Sequence, residues 1–455
     1  MNEFLNKPKL NYIWLHLQNH FLGFNNIENQ IQYQPKSALM KNQGEIYFML
    51  SEAGLNRLNV LKINNTPILF PGNPDKPFYT MEQGSLVFHH DLLKSAFYLL
   101  SGYQELTPGK LDKHQRFPWD RSIQKHLGIT KRALVNEYFE IILVGLQQYC
   151  QYHNLPFERK NSFDTFGLWL SHDIDQVDKY TLNEFIFQTK NVLGLTQNKF
   201  ARKHKWKLFA EHAVHTFFTR KNPYWNFQYL LDIEKELRLP ATYFFLPKRK
   251  KHHDAYYNFS EKRIKSAMQL IDDAGGEIGL HGTVDSSHSL EALKEDLEKL
   301  KKSSPQPIRG MRQHRLIYQR KTTPKLHDEV AFQYDASLGF AEHEGFRNSY
   351  CHPFKLYNFE KEQPYNTWEI PLVVMDGTLF QYRDYTMEQA MQTCMDLATE
   401  IKKYNGVFSL LWHNSFFDDV RFPGIGQFYN DLLNALQKEM QCKPSFPTNL
   451  IKMLS

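Results

Sequence analysis

Beyond residue 160 the chain alternates short apolar runs with amphipathic stretches, and nearly every apolar run ends in a titratable side chain. The runs are FGLWLSHD (166–173), ATYFFLP (241–247), GGEIGLHG (275–282), PIRGMRQH (307–314), QYDASLGF (333–340), TWEIPLVVMD (367–376) and GVFSLLWH (406–413). Apolar runs this short read as buried strands. Between them, SLEALKEDLEKLKK (289–302) sets Leu290, Leu293, Leu297 and Leu300 on one helical face, with Ser289 as its N-cap. Residues 260–274 and 386–404 read as helices in the same way. Strands alternating with helices build βαβ units and a parallel sheet. Seven such runs predict an α/β fold, a distorted (β/α)7 barrel over residues 161–455, with an open doubly wound sheet as the alternative. Either architecture puts its chemistry at the C-terminal ends of the strands.

The first 160 residues have a different texture. A helix is expected over 10–22, strand-like runs at 45–50 and 66–72, and helices over 90–104 and 132–152. They read as a small accessory α+β domain, bounded by the polar stretch Glu158-Arg159-Lys160-Asn161-Ser162 and free of chemical motifs. A chain of 455 residues with 42% hydrophobic content has room for two or three such cores. The net charge of +6 is mild, and its one dense cluster, Lys248-Arg249-Lys250-Lys251, reads as a solvated loop, as does His252-His253. No nucleic-acid partner is expected. Cys150, Cys351, Cys394 and Cys442 form no CxxC pair, which predicts reduced thiols. The N-terminus lacks a continuous apolar leader, and no window approaches the ~18 apolar residues of a membrane span. A cytoplasmic protein is the expectation.

The strand ends carry the chemistry. In Ser171-His172-Asp173-Ile174-Asp175, a persisting strand points Asp173 and Asp175 to the same side. Two close carboxylates are not both cheaply ionised unless a cation lies between them or one takes a proton. That suits a metal ligand beside a general base, and equally a solvated turn. His281 ends its run with Asp285 and His288 nearby, a nitrogen and oxygen set suited to Zn, Ni, Co or Mn. Arg312 is placed to orient a carboxylate or bind a substrate anion. His413, beside Trp412, suits a general acid near a sugar ring. His314, Trp412, Asp335 and Asp376 are the expected substrate-binding residues, the two aspartates serving equally well as structural groups.

Over residues 165–415 these segments resemble the polysaccharide deacetylase family, the NodB-type carbohydrate esterases. Ser171-His172-Asp173-Ile174-Asp175 resembles a variant of the family's first motif with one extra residue between the carboxylates. The resemblance implies Asp173 as base and Asp175 as metal ligand. His281-Gly282-Thr283-Val284-Asp285 is similar to the H-[ST]-x-x-H motif, with Asp285 where a second histidine is usual. Arg312-Gln313-His314-Arg315 keeps only the arginine of R-x-P-[YF], and Leu411-Trp412-His413 meets L-x-H, implying His413 as acid. Asp335 lies in the segment similar to the fourth motif, and GFRNSYCHPF (345–354), MDGTL (375–379) and the accessory region around 89–105 also resemble this variant class. The implied function is metal-dependent removal of N-acetyl groups from an amino-sugar glycan or its precursor. The implied cofactor is a divalent ion, foremost Zn, on Asp175, His281 and Asp285. The altered second and third motifs motivate a different class, a non-catalytic glycan-binding or scaffold protein. A carboxylate-pair glycosidase is a weaker reading, because it leaves His281 and His413 without a role.

Overall fold

The computed structural model describes residues 5–35, 42–161, 163–196, 202–219, 222–248 and 254–454. Arg249, Lys250 and Lys251 of the basic cluster, the pair His252-His253, and Ser162 in the expected boundary lie outside the described residues.

The N-terminal region holds helix α1 (Lys7–Leu17), strands β1 (Ile31–Pro35), β2 (Ile46–Leu50), β3 (Tyr79–Glu82) and β4 (Ser85–Phe88), and helices α2 (Leu92–Leu100) and α3 (Leu134–Tyr152). These four strands form a sheet in the order β1-β2-β4-β3. Asp91 caps α2 by accepting from Lys94 N at 2.9 Å, and all nine residues of that helix are buried.

The expected runs then appear as β5 (Gly167–Ile174), β6 (Ala241–Phe245), β7 (Glu277–Gly282), β8 (Gly310–Gln313) and β9 (Tyr334–Asp335). They are followed by β10 (Phe354–Asn358), β11 (Gln363–Glu369), β12 (Val374–Met375), β13 (Val407–Leu411) and β14 (Lys443–Pro444). Together they make a ten-stranded sheet in the order β10-β11-β9-β8-β7-β6-β5-β13-β12, with β14 beside the start of β5. Every pairing is parallel except β10 with β11. A parallel strand is covered on both faces, and all eight residues of β5 are buried.

The sheet curls like a half-barrel. Its hydrogen-bonded order is open, because β10 and β12 are edges. One segment nonetheless reaches both flanks. Ile370 N donates to Asp335 O of β9, and Val373 N donates to Ser409 Oγ on β13. The expected strand 367–376 is therefore split into the end of β11 and β12, and the run 333–340 shrinks to two strand residues. Helices α4 (Leu182–Val192), α5 (Arg202–Phe217), α6 (Phe227–Leu237), α7 (Lys262–Asp273), α8 (Leu290–Lys301), α9 (Thr323–Val330), α10 (Met387–Lys402) and α11 (Ile425–Asn434) connect the strands. Ser289 caps α8 by accepting from Ala292 N, and Leu293, Leu297 and Leu300 face the core as their spacing requires.

Candidate metal centre

Register delivers the polar residues to one place. In the parallel ladder Asp173 lies beside Phe244, and His281 beside Arg312, so β5, β7 and β8 end at the same level. Asp175, His281 and His314 bring one donor atom each within 4.8 Å of one another. His281 Nε2 lies 3.2 Å from Asp175 Oδ1, and His314 Nε2 lies 3.9 Å from Asp175 Oδ2.

Both imidazoles are held from behind. His281 Nδ1–H donates to Arg312 O at 2.9 Å, and His314 Nδ1–H donates to Asp254 at 2.9 Å. With Nδ1 committed, each Nε2 turns its lone pair toward Asp175, as metal-binding histidines do. Asp175 Oδ1 is a buried acceptor without a hydrogen-bond donor. Three acceptors converging on one point fit a divalent cation, and two nitrogens with one carboxylate oxygen suit zinc or a neighbouring transition metal. Gly282 sits close behind His281, where a Cβ would lie 2.6 Å from Gln313 Oε1.

Asp173 stands beside this trio. Its Oδ1 accepts from Arg312 Nη1 at 2.7 Å, and its Oδ2 lies 3.5 Å from His281 Nε2. Burial pushes the Asp173 carboxyl up, but the Arg312 guanidinium, together with His281 and His413, holds the group below the ordinary carboxylate value. Arg312 is itself fully buried, donating to Ser171 Oγ and Ala336 O and lying 4.6 Å above the Phe244 ring. Across the cleft, His413 Nδ1–H donates to Asp376 at 2.7 Å, leaving its Nε2 3.8 Å from Asp175 Oδ2. Burial alone lowers the His413 pKa, but the Asp376 carboxylate, joined by Asp175 and Asp173, raises it to about 10. Asp376 also accepts from the backbone N–H groups of His413 and Gly377.

Asp173, Asp175, His314 and His413 open into a cleft of about 290 Å³. Its outer wall includes Arg315, Gln381, Tyr382 and Phe416, and also His114 and Arg116 from the N-terminal region. No sequence pattern marks those last two, nor Asp254, because loops from distant parts of the chain carry them.

Five of the expected site residues stand elsewhere than expected. Asp285, expected as third ligand, is not in the trio. The Thr283 hydroxyl donates to Asp296 at 2.5 Å, and the chain turns at Asp285–Ser287 toward α8. His314, expected to touch substrate, lines the cleft and also stands in the trio with Asp175 and His281. Trp412 is fully buried against Tyr429 and Phe428. Side chains alternate along a strand, so with His413 facing the cleft its neighbour faces away. Asp335 is also fully buried, accepting from Ser337 and facing His327 at 3.3 Å. Asp376 orients His413 and does not line the cleft.

A family of unknown function (DUF7033) matches residues 2–151. No characterised protein sequence matches the chain. Structures similar to parts of it belong to polysaccharide deacetylase and CE4 family proteins. A protein from Mycobacterium smegmatis, described as a polysaccharide deacetylase, is 17% identical, covering 64% of this chain and 90% of its own, with a TM-score of 0.42. A CE4 family pseudoenzyme from Bacillus anthracis is 12% identical over 64% of this chain and 66% of its own, with a TM-score of 0.31. A mutant of that pseudoenzyme gives 12% identity over 67% and 78%, and the same TM-score.

Proposed function

We propose that this chain is a metal-dependent amide hydrolase of the polysaccharide deacetylase type, which removes N-acetyl groups from an amino-sugar glycan or its precursor. The observation that carries the proposal is the convergence of Asp175, His281 and His314, flanked by an arginine-clamped carboxylate and an aspartate-backed imidazole.

Asp175, His281 and His314 would hold the ion, with zinc the first candidate. When bound, a divalent ion polarises a water and an acyl carbonyl. The chain's own residues do the rest. Asp173, kept ionised by Arg312, takes the proton from the attacking water. The water oxygen bonds to the acyl carbon, and the C–N bond breaks as His413 passes its Nε2 proton to the leaving nitrogen. The products are acetate and a free amine. Asp376 holds His413 in the orientation and charge state of an acid.

The departures from the family motifs offset each other in this reading. Asp285 stands where a second histidine is usual, and His314 stands where R-x-P has proline. A ligand lost from the second motif is supplied by the third. The scaffold reading loses its main motive, since a scaffold has no need of a complete donor set.

The test is elemental analysis of the purified protein, followed by acetate release from acetylated amino sugars. About one divalent ion per chain is expected, with activity abolished by Asp173→Asn. A protein that takes up no Zn, Co, Ni or Mn sinks the proposal.

A further inference from the structure

We infer that the hairpin of α4 and α5 is a membrane-surface anchor, which docks on bilayers containing anionic phospholipid. Single exposed apolar side chains are ordinary on a protein surface, and clusters are not. Nine of the nineteen large apolar side chains exposed among the described residues lie between 182 and 218.

The helices show the reverse of ordinary amphipathicity. On α4, Leu182, Ile186, Lys190 and Leu193 recur at spacings of four, four and three, and all are exposed. Gln188 and Asn191 are buried instead, joined by a 3.0 Å hydrogen bond. On α5 the outward stripe runs through Lys203, Trp206, Lys207, Val214 and Phe217, and Phe218 just beyond it is 83% exposed. Phe185 of α4 packs on Phe209 and Phe217 of α5, which fixes the two helices to each other.

Charge identifies the occupant. The only acidic residues from 182 to 218 are Glu184 and Glu211. Glu184 is partly buried, and Glu211 accepts from Lys179 and Tyr180. The exposed ions are therefore cations: Lys190, Arg202, Lys203 and Lys207. A second copy of this face would bring like charges together. A bilayer interface with anionic headgroups accepts the apolar and the basic side chains at once. Among the described residues no helix is long and apolar enough to cross a membrane, so the contact is with the surface.

The hairpin also follows the C-terminal end of β5, the strand that leads to Asp173 and Asp175. Lys179 ties it down, bridging Glu211 at 2.6 Å and Asp418 at 2.8 Å in the loop beyond His413. Docking depends only on exposure and charge, and so stands apart from the hydrolase reading.

The experiment is sedimentation of the full chain with phosphatidylcholine vesicles, with and without phosphatidylglycerol, beside analytical ultracentrifugation of the protein alone. Wild type should partition onto the mixed vesicles and far less onto phosphatidylcholine. The variant Trp206→Ser/Phe218→Ser should lose binding to both. The variant Lys203→Glu/Lys207→Glu should lose about tenfold or more on mixed vesicles only. All these side chains are exposed, so circular dichroism and the melting temperature should stay unchanged. Failure of wild type to sediment with mixed vesicles overturns the inference. So does a concentration-dependent dimer abolished by Trp206→Ser/Phe218→Ser, which would assign the face to a second copy.

Discussion

Replacing His314 with alanine removes one of the two imidazole nitrogens of the trio. His314→Ala should therefore behave like Asp175→Ala, with metal content falling from about one ion per chain to a small fraction of that. Asp285→Asn should retain the full content. Elemental analysis of the three variants decides between the two donor sets, and equal loss in Asp285→Asn would restore the expected ligand. A second prediction concerns pH. His413 has its pKa raised, so its acid form is present below about 10 and lost as pH rises through that value. Asp173 has its pKa lowered, so its base form persists down to acid pH. A bound dication repels the imidazolium proton and brings the alkaline limb below 10. Asp376→Asn removes the largest raising cause, so the alkaline limb should move toward acid by about one unit or more while the acid limb stays. A rate profile with an unmoved alkaline limb would take the acid role from His413. Asp173, Asp175, His281, Arg312 and His413 were legible because parallel strands end in register, so run-end residues meet. Trp412 misled because adjacency in sequence at a strand end means opposite faces in space. The placing of His314 depends on Asp254, which no pattern links to it.

The turn after β8 is the element on which the centre hangs. Arg315 and Leu316 both adopt left-handed backbone, with φ of 59° and 54°. Such residues cost about 1–3 kcal/mol each and persist where surrounding contacts enforce them. The enforcing contact is Arg116, 6% exposed, whose Nη1 donates to Arg315 O at 2.9 Å while Asp112 holds its Nε at 2.7 Å. Arg116→Ala should relax the turn that carries His314. Metal affinity should fall about tenfold to a hundredfold, the usual loss when a ligand's outer support is removed, as read by competition with a chromophoric chelator. Unchanged affinity would mean that β8 alone positions the ligand. Elements were legible where periodicity and capping agreed. Helices α7, α8 and α10 fall within the expected ranges of 260–274, 289–302 and 386–404. The run 333–340 failed because Asp335 binds the Ser337 backbone and hydroxyl, which bends the chain after two strand residues. Helices α4 and α5 went unread because their apolar stripe points outward and their buried positions include Gln188 and His212. A period then marks no core face.

At the scale of the whole molecule, the reading of residues 1–160 as a separate accessory domain meets a continuous interior. One apolar cluster joins Tyr12, Phe97, Tyr138 and Phe139 of the N-terminal region to Tyr318, Tyr350, Phe354 and Tyr357 of the later chain. Backbone crosses the join as well: Val135 N donates to Ser349 O, and Phe346 N donates to Thr130 O, both at 2.8 Å. Arg347 grips Glu105 through two hydrogen bonds of 2.8 and 2.6 Å, with both side chains at most 3% exposed. Sequence patterning sees none of this, since a contact across more than two hundred residues has no period. Stripping residues 1–151 would expose the aromatic face formed by Tyr318, Tyr350 and Phe354, and the fragment 152–455 should aggregate on expression. The intact chain should unfold in a single calorimetric transition. Breaking one buried ion pair leaves its partner charged and unpaired, which costs about 3–5 kcal/mol. Arg347→Ala should therefore lower that one transition as a whole, without splitting off a stable part. Two resolved transitions in wild type, or a soluble and folded 152–455 fragment, would show instead that the N-terminal region is a separable domain, and that the contact of Arg116 with the centre is made by docking after folding.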